Sequence, residues 1–186
     1  MSHEKLVKLR GFLKARTADR HDVLDGLGAP ASFADREIYA RFLSRQYAAR
    51  AGIERWTAGH AAPGDGPPPV AHLIAADLAA LGSAPPSEAP DFTLPAGADQ
   101  LGLAWVIAGS HLGNRAMLAR LRREAPDAPA TFLADETMRA FWTGLRPRLE
   151  REVPESMAQG AVLAAEAVFD HFLAVFGVDA AARIAA

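Results

Sequence analysis

Leu103 to Leu121, LAWVIAGSHLGNRAMLARL, reads as one long apolar helix that carries glycine where a helix least tolerates it. Gly102, Gly109, Gly113 and Ala116 are separated by seven, four and three residues, and a period near 3.6 places them along one face. Each interior glycine costs about 1 kcal/mol relative to alanine, so the three together forgo about 3 kcal/mol unless something lies against the bare backbone. A second helix packed on small residues would do that. So would a flat ligand lying on the backbone, and this stretch leaves both open.

Length and charge narrow the setting. A chain of 186 residues supports one domain with a full core, read here as 1–186. Half of its residues are apolar and 23% are charged, as in a globular protein, and a formal charge of -2 gives no basic face for nucleic acid. The absence of cysteine excludes disulfides, thiolate metal sites and cysteine nucleophiles. The amino terminus has no uninterrupted apolar segment with a cleavage site, and no apolar run approaches about 20 residues. The expectation is a cytoplasmic protein with no membrane span.

From residue 4 to 27, Leu6, Leu9, Leu13, Leu24 and Leu27, with Thr17 between, form the stripe of an amphipathic helix ended by Gly26, Gly28 and Pro30. His21 lies close to that stripe, Lys14 precedes it by nearly two turns on about the same face, and Asp25 follows one turn later within reach of the ring. A histidine beside an apolar stripe is ordinarily half-buried and without a ligand. The adjacent carboxylate is what a metal-bound imidazole uses to hold its other N–H.

Ser32 and Asp35 resemble a capping box opening a second helix to about Trp56. Its arginines, Arg36, Arg41, Arg45, Arg50 and Arg55, are spread around the cylinder and read as a solvated surface. Ala58 to Pro69 is a loop, a short helix spans about Val70 to Leu81, and Gly82 to Pro95 connects it to the glycine-lined helix. A fifth helix is expected over about Thr131 to Glu152 with a bend at Pro147. The last, opened by Pro154 and running to Phe176, is apolar nearly all round except for Glu166, Asp170 and His171, so it must be central. With no strand-like alternation and no internal repeat, the fold class is all-α, a single-domain bundle of about six helices.

Most chemical signatures are missing. The chain has no phosphate-binding glycine loop, HExxH, EF-hand loop or GxSxG elbow. His72, His111 and His171 each lack the acidic residue three positions earlier that a di-iron bundle uses. His3 and His60 fall in segments expected to be mobile, and His111 projects away from the bare face. What remains is a helix with a histidine and a lysine on one face, and a helix with a glycine-lined face.

Two segments carry a resemblance. LKARTADRHDVLD and WVIAGSHLGNRAML are similar to the proximal and distal helix motifs of the haem oxygenase family, in particular its bacterial members that supply biliverdin to phytochromes. YARFLSRQY and the pattern around Trp142, followed by an aromatic terminal helix with Phe169, agree more loosely. The resemblance implies a haem-oxygenase-like bundle in which haem is both cofactor and substrate, opened to biliverdin with release of carbon monoxide and iron. It assigns His21 as the axial iron ligand, Asp25 as the acceptor behind it, and Lys14 as a propionate partner, with Thr17 part of the same motif. Gly109, Ser110 and Gly113 would form the distal wall, leaving room for dioxygen. Electrons would come from a ferredoxin or flavin reductase, and a bacteriophytochrome is an implied recipient. Arg139, Arg146 and Arg148 are candidates for the second propionate.

The chain departs from the pattern where Asn114 replaces the second glycine and Ala108 replaces an acidic residue. Asn114 either hydrogen-bonds the oxygen and its waters or narrows the space above the iron. Three readings follow: a haem oxygenase, a non-enzymatic haem- or bilin-binding protein of the same fold, and an interaction bundle without a ligand.

Overall fold

Thr17 and Gly113 each interrupt a helix that the apolar periodicity predicts as continuous. The computed structural model describes residues 5–62 and 64–177. His3, and the outer limits of a domain over 1–186, lie outside the described residues. In place of the first expected helix, β1 (Leu6–Lys8) leads into α1 (Leu9–Arg16) and α2 (Ala18–Gly28). At the joint the Thr17 hydroxyl donates to the Leu13 carbonyl at 2.9 Å. Such back-bonding to the preceding turn competes with the helix ladder and bends it.

The second expected helix is α3 (Arg36–His60), four residues longer than predicted. Its cap is Asp35 itself, whose Oδ1 accepts from the N–H groups of Glu37 and Ile38. Ser32 does not form the expected capping box; its Oγ accepts from Ala34. After α4 (Ala71–Ala80) come α5 (Gln100–His111) and α6 (Asn114–Glu124), which replace the single helix expected through Leu121. Between them the Leu112 N–H donates to Gly109 O at 3.1 Å, three residues back, and the turn tightens where glycine's low helix propensity offers least resistance.

The fifth expected helix starts late. Ala130 to Asp135 forms turns because the fully buried Asp77 carboxylate of α4 accepts from the N–H groups of Thr131 and Phe132 at 2.8 and 2.9 Å. α7 (Thr137–Leu149) begins only after Asp135, whose side chain accepts from Thr137 and Met138, and it runs through Pro147. β2 (Glu152–Pro154) pairs antiparallel with β1, Val7 opposite Val153. This two-stranded ribbon was not expected, since three residues are too few to show alternation. It ties the start of the chain to the joint before α8.

α8 (Glu155–Val175) is the central helix, as its composition requires. Ala158, Ala161, Ala164 and Ala165 present small side chains to the neighbouring helices, while Val168, Phe169 and Phe172 fill the core further along. Glu166, Asp170 and His171 are all committed. Arg20 of α2 donates to Glu166 at 2.9 Å and to Asp170 at 2.8 Å, and the His171 ring bonds Ala49 O of α3 at 3.1 Å. By length and composition α8 is the one described helix able to cross a membrane, and half of that stretch is buried inside the bundle. The fold is an all-α bundle, and among the described residues its one small ribbon and eight helical segments replace the expected six helices because two helices are broken.

Candidate functional site

Both breaks open onto the same space. A cavity of about 510 Å³ lies between α1–α2 on one side and the α5–α6 joint on the other, within the size range of ligand sites. Lys14, Thr17, His21 and Asp25 line it from the first pair of helices, and Gly109, Ser110, Gly113 and Asn114 from the second. Trp105, Trp142, Phe169 and Phe172 supply an aromatic interior, and Arg10 joins Lys14 on the wall. The bend at Thr17 sets the direction of α2, which carries His21; the tight turn at Gly113 keeps side chains off the facing wall.

The glycine face divides between the two explanations open at the level of sequence. At Gly102 a Cβ would run into the Ala161 carbonyl of α8, so close helix packing explains it. At Gly109 the nearest atom to a Cβ is in the Trp142 ring at 3.7 Å, and at Gly113 it is Ser110 O at 3.7 Å. No neighbouring helix fills the place of those two side chains; they face the cavity. Ala116, expected on the same stripe, is exposed on α6 because the turn shifts the helix phase.

His21 has a side chain 56% exposed, and its Nδ1 lies 3.3 Å from Asp25 Oδ2 and 3.8 Å from Asp22 Oδ1. Its ring meets Phe169 edge-on at 6.2 Å. A proton held on Nδ1 by Asp25 leaves Nε2 with the lone pair that a metal centre requires. Among the described residues no group of three or more His, Asp or Glu side chains could hold a bare metal ion. A single imidazole beside an aromatic, glycine-walled cavity would instead suit an iron whose remaining ligands come with its own cofactor. The residues present fit a haem.

The three candidates for the second propionate are not at the cavity. Arg139 pairs with Glu136 one turn away and lines a second cavity, and Arg146 is exposed on α7 beyond either one. Arg148 pairs with Asp65 at 3.8 Å. The α7 face expected to meet propionates points to solvent because α7 buries Met138, Trp142, Leu145 and Leu149 instead. Arg10, which was not singled out, stands over the Trp142 ring at 5.7 Å and bonds Glu150.

Asn114 is only 2% exposed and is committed to a neighbour. His111 Nε2 bonds the Asp135 carbonyl oxygen at 3.0 Å, which fixes the ring proton there, and its Nδ1 then accepts from Asn114 Nδ2 at 3.1 Å. Asn114 and Leu112 form the partition between the main cavity and the second one, which Ala108 and His111 also line. His111 does project away from the glycine wall, but into buried surroundings.

Arg50 is the largest departure from expectation. It is 3% exposed and forms part of the cavity wall, where a solvated arginine was predicted. Its Nε bonds Gln46 at 3.3 Å, its Nη2 bonds Ser110 Oγ at 3.1 Å, and it stacks over Phe132 and Phe172. Burial pulls the guanidinium down to about 10, with Glu54 opposing, and it stays charged at neutral pH. Periodicity gave no warning, because α3 is flanked on several sides and its arginines are evenly spread.

Burial also lowers the affinity of His111 and His171 for protons, opposed by their bonds to Asp135 and Ala49. An unfolded histidine titrates near 6.5, so below that value the unfolded chain binds more protons and folding stability falls as the pH drops toward the native values. Glu54, raised by burial, acts with the opposite sign, losing its stabilising contribution as pH rises through its native value. Comparing wild type with His171→Gln cancels that term. The urea midpoint should fall less between pH 7.5 and 5.5 in the variant than in wild type; an equal fall would show that His171 is not held neutral.

The fold and site together define a helical bundle with one histidine and a bare backbone face across an aromatic cavity. No family model matches the chain, and no curated protein or solved structure matches it either.

Proposed function

We propose that the protein is a haem oxygenase, which opens haem to biliverdin with release of carbon monoxide and iron, using dioxygen and an external electron donor. The observation that carries this reading is the convergence of His21 and the Gly109–Gly113 backbone on one aromatic cavity from two helices broken at that level. Haem, when bound, supplies the iron that activates dioxygen and is itself the molecule oxidised. His21 would hold it through Nε2, with Asp25 orienting the ring. Lys14 and Arg10 offer cations to its carboxylates. The absent side chains at Gly109 and Gly113 leave dioxygen a restricted volume against backbone, which limits the directions it can take. The location is proposed as cytoplasmic, and a ferredoxin or flavin reductase and a bacteriophytochrome are the proposed partners.

Absorption titration of the apoprotein with haemin, followed by reductant under air, tests it. A Soret band that saturates at one equivalent and then decays into a broad biliverdin band is the expected result. The second reading, haem or bilin binding without turnover, is favoured by the Asn114 amide being tied to His111 instead of free toward the cavity. A saturating band that persists would select it, and no saturable band would reject both.

A further inference from the structure

Arg50 carries a buried charge with no direct ion pair, and Glu54 acts on it only from a distance. No carboxylate pairs with it: Glu54, one turn along α3, is turned to the start of α4, where it accepts from the N–H groups of Val70 and Ala71 at 2.8 and 3.0 Å. Its contacts are a neutral amide, a hydroxyl and two aromatic faces, and Nη1 has no hydrogen-bond partner at all. Arg55, the residue after Glu54 on the same helix, shows the ordinary arrangement, with its guanidinium on Asp91 and the Ala89 carbonyl at the surface. Burying a cation without a counter-charge works against folding, and an apolar residue of similar volume is usually at least as stable in such a place. The Ser110 hydroxyl donates to Ile107 O at 2.8 Å, so its oxygen is held in position to accept from Nη2. That bond anchors the guanidinium beside the bare turn from Gly109 to Gly113. An arginine fork with an unused N–H edge is complementary to a planar or small oxyanion.

We infer that Arg50 is an anion-binding group of this cavity, and that the ligand carries an anionic oxygen to the inner wall formed by α3, α5 and α8. This deepens the haem reading, in which that oxygen belongs either to a carboxylate arm of the tetrapyrrole or to an anion held on its iron. It also stands without haem, since it rests on the position and partners of Arg50 alone.

A pair of fluorescent probes isolates the charge. 1-Anilinonaphthalene-8-sulfonate and N-phenyl-1-naphthylamine share their rings and differ by the sulfonate. The wild-type apoprotein is expected to bind the sulfonate at least tenfold more tightly than the neutral probe. Arg50→Met should bring the ratio near one and raise the thermal midpoint, whereas Arg41→Met, which removes an exposed cation of the same helix away from the cavity, should leave the preference intact. Arg50→Gln, which keeps a hydrogen bond within reach of Ser110, gives the same comparison where the methionine variant does not fold. An unchanged ratio in the Arg50 variants, or an equal loss on Arg41→Met, would overturn the inference and leave Arg50 a structural cation.

The same variants then separate the two sources of oxygen. If Arg50 receives a carboxylate, Arg50→Met weakens haemin uptake but not uptake of haemin dimethyl ester. If it receives an anion on the iron, haemin uptake holds and azide affinity of the complex falls at least tenfold. Should the wild type take up no haemin while the sulfonate preference still depends on Arg50, the haem reading fails and the anion site stands.

Discussion

Gly102→Ala lowers the thermal midpoint by roughly 6–12 °C, while Gly109→Ala, two turns along the same helix, leaves it unchanged or raises it. The two substitutions are chemically identical and both gain about 1 kcal/mol of helix propensity. They differ in what a Cβ meets. At Gly102 it is driven into the backbone carbonyl of Ala161, and neither backbone has a rotamer by which to yield. The α5–α8 contact must widen, and α8 is the helix against which α1, α2, α3 and α5 all pack. Overpacking of a core typically costs about 1–3 kcal/mol and more when backbone has to shift, so about 3 kcal/mol is the expected net loss. At Gly109 the nearest atom is 3.7 Å away, an ordinary contact, and the methyl enters the cavity. Differential scanning calorimetry of the two variants reads the difference. Equal destabilisation would mean that Gly109 also packs against a helix and that its face is not free for a ligand.

His21→Ala abolishes the imidazole-ligated Soret spectrum of the haemin complex and leaves the far-ultraviolet circular dichroism intact. The side chain is more than half exposed, and its polar partners, Asp22 and Asp25, lie on its own helix. Its loss should therefore change stability by no more than about 0.5 kcal/mol, the range of surface substitutions. The loss of a metal ligand is far larger: outer partners alone are worth roughly 10–100-fold in affinity, and the ligand itself more. Free imidazole, admitted to the space left by the side chain, should restore the band. Retention of the original Soret position in the variant would show that another side chain ligates the iron. Among the described residues no other histidine lines this cavity; His111 stands behind Asn114.

The residues that were legible in the sequence are those whose evidence is local. His21, Lys14, Thr17 and Asp25 lie within twelve consecutive positions, where helical spacing alone puts them on related faces, and all four line the cavity. Gly109 and Gly113 came from the spacing of small residues, Ser110 and Asn114 from the family resemblance, and all four line the cavity. Arg139 and Arg146 failed because a basic residue on an amphipathic helix looks the same whether its face meets a ligand or water. Their placement depends on which side of α7 is buried, and that is set by the packing of Trp142 and Leu145 against helices distant in sequence. Arg50 failed in the opposite direction. One arginine of five becomes buried only because Phe132 and Phe172, more than eighty residues away, close over it.

Apolar periodicity, glycine and proline placement and the composition of α8 were enough to determine the all-α class and the central position of the last helix. They also paired a histidine helix with a glycine-lined helix, since each of these follows from spacing along one element. Only the tertiary structure decided where those helices break, that Gly102 serves packing while Gly109 and Gly113 face a cavity, and that a cation is buried in its wall. A break depends on competing hydrogen bonds and on the space available, and a buried charge on which elements meet around it. Neither quantity exists until segments far apart in the chain are brought together.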